Sequence, residues 1–221
     1  MNVILFGATG MVGQGVLREC LLDADVERVL SIGRAETGKH HERLRELVHR
    51  DFADFSGIAG DLTGYDACFF CLGVSSAGMK EEDYRRITLD FTIAAARAVA
   101  DKNPSMVFVY VSGAGTDSTE RGRSMWARIK GRTENTLLQM SFRAAYMFRP
   151  GVIQPLHGIV SRTKLYRVLY VVAKPLFPVL RALAPKSVTT TEQIGRAMLQ
   201  VAKHGAPKRV LESADIVALG S

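Results

Sequence analysis

Residues Met1–Gly15, MNVILFGATGMVGQG, constrain the fold more than any other stretch of this 221-residue chain. An apolar run, Val3, Ile4, Leu5 and Phe6, ends at Gly7, and Gly10 and Gly13 follow. Val12, Val16 and Cys20 then recur at helical i, i+4 spacing. A buried strand that runs through a glycine turn into a helix is built to hold a dinucleotide's phosphates. Gly7 ends the strand in a tight turn, Gly10 lets a pyrophosphate approach the backbone, and Gly13 lets the helix pack on the strand. The helix N-terminus adds free N–H donors and a partial positive charge. Gly7, Thr9, Gly10, Met11, Val12 and Gly13 are therefore candidate cofactor contacts. The plain alternative is a tight strand–helix turn that holds no ligand.

Length and composition bound the rest. The chain is expected to form a single domain over 1–221, with a nucleotide-binding core over 1–153 and a C-terminal helical, substrate-facing region over about 154–221. Three cysteines do not make a disulfide framework, and the short apolar N-terminal run reads as a strand rather than a leader, so a cytoplasmic location is expected. Cys68 and Cys71 form a C-x-x-C inside the apolar run ACFFCLG. On a strand, positions i and i+3 face opposite ways, so these read as two core cysteines rather than a redox or metal pair. His40, His41, His49, His157 and His204 show no metal-ligand spacing, and no metal is expected.

Strand-like runs alternate with helical patterns along the chain. Strands are expected at Val3–Phe6, Arg28–Ile32, Ala67–Leu72, Met106–Val111 and Ala144–Phe148. Helices are expected from Gly10 to about Asp23, over Glu81–Ala100, over about Ser124–Met140 and over Thr191–Ala202. Residues about Glu42–His49 read as a short helix or a third strand. Such alternation implies an α/β fold: a Rossmann-type doubly wound parallel sheet with a small C-terminal helical lobe. A cofactor then lies across the strand ends where strand order reverses. Strand two ends in Ile32-Gly33-Arg34. A site for NAD usually places an acid there for the ribose hydroxyls, whereas Arg34 suits a 2′-phosphate, so NADP(H) is the expected cofactor. A solvated surface arginine is the alternative, and Lys39 is a second candidate for the same phosphate.

These features resemble the short-chain dehydrogenase/reductase superfamily, in its atypical or extended branch with the pattern G-x-x-G-x-x-G, and within it the small NAD(P)-binding epimerase/dehydratase-like members. The resemblance runs from Met1 to about Ile153. It implies that Asp51, with Phe52 beside it, contacts adenine at the end of strand three. It further places Leu72 and Gly73 beneath the cofactor ribose, and Pro150, Gly151 and Val152, after Arg149, near the nicotinamide.

The family's catalytic signature is a serine at the end of strand five, then Tyr-x-x-x-Lys on the next helix. Ser112 and Lys130 match it, but the position four before Lys130 is Trp126. One helical turn separates the two, so both face one cleft. A tyrosine hydroxyl paired with a lysine protonates a carbonyl oxygen as hydride arrives at carbon. An indole N–H donates a hydrogen bond and cannot act as acid or base. The resemblance thus implies that Ser112 and Lys130 orient a substrate and the cofactor ribose while Trp126 lines the pocket, with water or an unidentified side chain as proton source. For Lys130 the bland alternative is a surface residue among Arg121, Arg123, Arg128 and Arg132.

The net charge of +7 is unevenly distributed. No acid lies between Glu134 and Glu192, while eight basic residues do: Arg143, Arg149, Arg162, Lys164, Arg167, Lys174, Arg181 and Lys186. Residues 165–184 form a basic, apolar stretch interrupted by Pro175 and Pro178, which reads as a substrate lid or dimer surface, or as a peripheral membrane or partner contact over 162–186. Nucleic-acid binding is not expected, because aromatic and basic residues do not interleave. Two functions follow: an NADP(H)-dependent oxidoreductase acting on a small organic substrate, or a catalytically silent NADPH-sensing or scaffolding protein. An isomerase or epimerase is a weaker third reading.

Overall fold

The first strand, β1 (Asn2–Phe6), is the third strand from one edge of a seven-stranded sheet, with Val3, Ile4, Leu5 and Phe6 fully buried. The computed structural model describes residues 1–159 and 187–221. The sheet also contains β2 (Arg28–Gly33), β3 (Leu44–Val48), β4 (Ala67–Phe70), β5 (Val107–Val111), β6 (Ala144–Arg149) and, further on, β9 (Val210–Glu212). Its order is β3-β2-β1-β4-β5-β6-β9, and every pairing is parallel. Strand order reverses beside β1, between β1 and β4, so a crevice opens at the carboxyl ends of these strands. The Rossmann-type α/β fold expected from the sequence is the fold observed.

The pleat sorts side chains into two cores. Ile4, Phe6, Leu30, Ile32, Phe70 and Phe108 face one layer of helices. Val3, Leu5, Val29, Phe69, Val109 and Phe148 face the other. The first layer holds α2 (Glu81–Arg85), a π-helical turn (Arg86–Asp90), α3 (Phe91–Lys102) and α4 (Met125–Leu138). The expected long helix over Glu81–Ala100 is thus present but interrupted by one wide turn. The second layer holds α1 (Met11–Leu22) and α5 (Thr191–His204). These two helices approach closely because a Cβ at Gly195 would stand 2.7 Å from Glu19 Cγ and one at Gly15 2.6 Å from Thr191 Cβ. Helix α5 opens with a capping box in which Thr190 and Gln193 exchange hydrogen bonds of 3.0 Å.

Residues 42–49, open between helix and strand in the sequence, form the edge strand β3. Several elements lie outside the sequence expectations. Strands β7 (Val152–Gln154) and β8 (Val188–Thr190) pair in parallel as a separate ladder, and β9 extends the main sheet before α6 (Ser213–Leu219). Cys68 and Cys71 lie on opposite faces of the sheet, as their spacing requires; Cys68 is buried in the core, whereas Cys71, just past β4, is only partly buried. Among the described residues, no helix is long and apolar enough to cross a membrane. The whole of the basic 162–186 stretch, Tyr166 included, lies outside the described residues.

Candidate functional site

The crevice at the switch point is a cleft of about 750 Å³. The β1–α1 turn forms one wall. Gly7 has φ +81°, and a Cβ there would stand 2.6 Å from Leu72 N, so the position requires glycine twice over. A Cβ at Gly13 would come within 2.1 Å of Gly7 O, so α1 packs against the turn only without one. At Gly10 the nearest atom is Gly7 O at 3.3 Å, and the space in front is cleft. No side chain caps α1, and its first turn contains no acid, so its N–H groups face the cleft without an internal anion.

Among the described lining residues are Gly7, Thr9, Gly10, Met11, Val12, Arg34, Leu72, Gly73, Ser112, Trp126, Lys130, Pro150, Gly151 and Val152. The fold therefore brings together the turn, the β2 terminus and the β5, α4 and β6 residues singled out in the sequence. Arg34 is exposed at one end, with no hydrogen bond or ion pair among the described residues. Gly13 lies buried behind the lining. Asp51 and Phe52 are placed elsewhere. Asp51 is exposed and accepts a hydrogen bond from Ala53 N at 3.0 Å, while Phe52 packs edge-on against Phe6 and Phe55 in the core. Lys39 lines a neighbouring cavity rather than this one.

Helix α4 supplies the chemistry of the opposite wall. Trp126, Lys130 and Glu134 recur every four residues and so share one face. The loop before the helix is held close: Asp117 N donates to Ala127 O at 3.1 Å, and a Cβ at Gly131 would stand 1.8 Å from Asp117 O. The Asp117 carboxylate accepts from Thr119 Oγ1 and Gly122 N, both at 2.7 Å, and these bonds hold its carboxyl below the usual carboxylate range.

Ser112 follows β5 and donates its hydroxyl to Glu134 Oε1 at 2.5 Å, with Phe148 O a second acceptor at 3.1 Å. Glu134 is only 1% exposed and is gripped by Arg149, whose Nε lies 3.0 and 3.2 Å from its two oxygens and whose Nη2 also donates to it. Arg149 reaches on to Ser118 Oγ at 2.5 Å and Glu212 Oε1 at 3.2 Å, and the Glu134 carboxylate keeps its guanidinium firmly protonated. A hydroxyl has one hydrogen. With that hydrogen donated to a buried anion, Ser112 presents lone pairs to the cleft.

Lys130 Nζ donates to the Ser112 carbonyl and lines the cleft. Burial lowers its pKa from 10.5 to about 8, against the opposing pull of Glu134. The Cys71 thiol is pushed upward by burial and stays protonated. No tyrosine lines the cleft among the described residues. Tyr110 is buried beside Thr133 on the far side of β5, and Tyr146 OH accepts from Ala206 N on the other face of the sheet.

Glu134, Ser118, Glu212 and Cys71 were not among the residues picked out as site residues. Glu134 had a legible signal, since it lies one helical turn beyond Lys130.

No family model matches the chain. It is 30% identical to protein fmp52, mitochondrial, of Aspergillus niger over 159 residues, and 28% identical to the protein of that name in Emericella nidulans. Protein HTATIP2 of Rattus norvegicus is 26% identical over 155 residues. Each match covers 69% of this chain, which spans 66% of the length of the two fungal proteins and 62% of the rat protein. Among solved structures, the dTDP-glucose 4,6-dehydratase of Streptomyces venezuelae, with NAD and TYD bound, matches with a TM-score of 0.70. Identity there is 16%, over 96% of this chain and 75% of that one. A short-chain dehydrogenase/reductase of Saccharomyces cerevisiae matches with a TM-score of 0.67 and 14% identity, over 99% of this chain and 98% of that one. The chain thus has the Rossmann fold of nicotinamide-dependent short-chain dehydrogenase/reductase and epimerase/dehydratase-type proteins. The fungal relatives are named mitochondrial, which overturns the cytoplasmic location expected from the sequence. Cysteine usage separates oxidising from reducing compartments and does not discriminate among the reducing ones.

Proposed function

We propose that this chain binds NADP(H) along the cleft and reduces, or reversibly oxidises, a small organic substrate at its Lys130 end. The observation that carries this reading is electrostatic. From Arg34 past the α1 N-terminus to Lys130, no carboxylate lines the cleft among the described residues. A dinucleotide with a 2′-phosphate needs such a surface: a bare helix N-terminus for the pyrophosphate and an unpaired guanidinium for the extra phosphate. Gly7, Thr9, Gly10, Met11 and Val12 would hold the pyrophosphate, Leu72 and Gly73 the ribose, and Pro150, Gly151 and Val152 the nicotinamide end. When bound, that group supplies hydride; the chain binds, orients and manages the proton. Trp126 closes the pocket beside Lys130, and Ser112 offers an acceptor to the substrate.

Calorimetry with NADPH and NADH on the wild type and on Arg34→Ala tests the reading. Wild type is expected to prefer NADPH. A charge-assisted phosphate contact contributes about 1.5–3 kcal/mol, so Arg34→Ala is expected to lose about 10- to 100-fold in NADPH affinity. NADH affinity should change little. Binding of neither nucleotide would reduce the glycine turn to architecture.

One observation favours a second reading, a catalytically silent NADPH-sensing or scaffolding protein: Trp126 cannot exchange a proton, and Ser112 has already donated its hydrogen. On that reading, NADPH binds and no carbonyl probe is reduced. The partner or membrane surface would be the basic 162–186 stretch, and vesicle co-sedimentation with charge reversal at Arg167, Lys174 and Arg181 tests it.

A further inference from the structure

A reductase cleft without a tyrosine needs another group to exchange the proton, and the geometry narrows the choice. Among the described lining residues, the titratable side chains are Arg34, Cys71 and Lys130. Arg34 ends the cleft at β2 and stays charged. Cys71 sits past β4, and desolvation holds its thiol protonated. Ser112 cannot serve, because its hydrogen is donated to Glu134 and Phe148 O competes for it.

We infer that Lys130 Nζ is itself the group that exchanges a proton with the substrate oxygen in this cleft. The inference rests on the proposed oxidoreductase reading and assigns the proton source that the sequence left open. An ammonium has three hydrogens. One is donated to the Ser112 carbonyl, which aims the group, and two remain for the cleft. No carboxylate pairs with Lys130 among the described residues. Glu134, one turn further along α4, is taken by Arg149 from β6 and by Ser112 from β5. The charged and titratable groups around Nζ are therefore Glu134 and Arg149 beneath it, Cys71 across the cleft and Arg34 at its far end. Burial works against the ammonium and Glu134 works for it, which leaves a pKa of about 8, poised for exchange near neutral pH.

In the reducing direction, a C–H bond forms at the carbonyl carbon with the hydride that the reduced dinucleotide supplies. The carbonyl π pair moves to oxygen, an O–H bond forms with a proton from Nζ, and the N–H bonding pair returns to nitrogen. Lys130 is left as a neutral amine and regains its proton from water. The oxidising direction reverses each step, with the neutral amine as base.

The test uses the full chain, NADPH, and phenanthrenequinone as carbonyl probe, with Lys130→Met, Lys130→Gln and Lys130→Arg variants. Competitive acetylation read by mass spectrometry is expected to titrate Lys130 near 8 rather than near 10.5, a readout independent of turnover. Wild-type kcat is expected to fall as pH rises through about 8. At saturating NADPH, Lys130→Met and Lys130→Gln are expected to lose about 10²- to 10⁴-fold in kcat, the usual contribution of a general acid. Added ethylammonium should restore the rate of a Lys130→Ala variant, whose shortened side chain leaves room for it, in proportion to its concentration. Lys130→Arg, charged but unable to release its proton, should remain slow.

Several results would overturn the assignment: unchanged kcat in the truncation variants, no amine rescue, an ordinary lysine titration, or a wild type that binds NADPH and leaves the probe unreduced. Failure of the wild type to bind NADPH would instead overturn the parent reading, and calorimetry separates the two cases.

Discussion

Arg149→Met tests the proposition that the Glu134–Arg149 pair holds the floor of the cleft together. The substitution keeps the aliphatic stem and deletes a guanidinium whose side chain is only 11% exposed, facing a carboxylate that is 1% exposed. Glu134 would retain the Ser112 hydroxyl as its donor and lose every contact to Arg149. Breaking a buried pair from one side costs about 3–5 kcal/mol, because the orphaned charge keeps its desolvation penalty. The surviving Ser112 bond, of the kind that contributes about 1.5–3 kcal/mol when one partner is charged, places the expected loss at the lower end, about 3 kcal/mol. With a urea slope of about 3 kcal/mol/M, the denaturation midpoint falls by roughly 1 M. The decisive arm is Arg149→Met with Glu134→Leu. Removing both charges removes the orphan, so the double variant is expected to be more stable than Arg149→Met alone, since apolar replacement of a buried pair is often neutral or better. A double-mutant cycle on urea midpoints would show strong coupling. If the two single losses simply add, or if Arg149→Met costs less than about 1 kcal/mol, the pair is not a buried unit and the account of Ser112 orientation fails with it.

Two further predictions use other parts of the site. Gly13→Ala would place a Cβ 2.1 Å from Gly7 O and 2.7 Å from Gly7 C, where only backbone can yield, so it is expected to lose about 1–3 kcal/mol of stability and to abolish NADPH binding by moving the turn. Gly57→Ala, which meets nothing within 4 Å, is the control, and equal behaviour of the two variants would refute the steric argument. Lys130→Met is expected to be more stable than wild type at neutral pH. The Lys130 pKa is about 8 when folded, against 10.5 for an ordinary lysine, so between these values the unfolded chain binds more protons and wild-type stability rises with pH. The variant lacks this rise, so its advantage should shrink as pH climbs from about 8 towards 10.5. Urea denaturation across that range measures it, and a pH-independent difference would count against the burial of a charged Lys130.

The parts of the fold that were legible in the sequence are those specified locally. The β1–turn–α1 unit could be read because each glycine has a steric task set within a dozen residues. Ser112, Trp126 and Lys130 could be placed on one cleft because a strand terminus and a helical i, i+4 spacing fix their directions. The parts that were not legible depend on distant segments. β7, β8 and β9 are three residues each, too short to carry a period, and exist because remote strands accept them. Asp51 and Phe52 were expected at the cofactor from the end of strand three. That strand stops at Val48, and the chain then turns so that Phe52 enters the aromatic cluster and the Asp51 side chain closes on Ala53 N. Glu134 carried a local signal, its spacing from Lys130, but its meaning came from Arg149, fifteen residues on and one strand away.

That last residue changes how the substitution at Trp126 reads. In the sequence resemblance, Trp126 stands where the resembled family has a tyrosine, beside a matching serine and lysine. In the fold, the serine differs from the family's expected role as well, because its hydrogen is donated downward to a carboxylate that Arg149 holds in place. The three positions on α4 therefore act at successive depths: Trp126 shapes the pocket, Lys130 is left aimed by the Ser112 carbonyl, and Glu134 sets the polarity of the serine from below. A hydroxyl whose hydrogen is already donated leaves proton exchange at the substrate oxygen to the amine poised near 8, which gives a proton in reduction and takes one in oxidation. On the proposed function, this cleft has its proton chemistry moved one helical turn along α4, from the tyrosine position to the lysine.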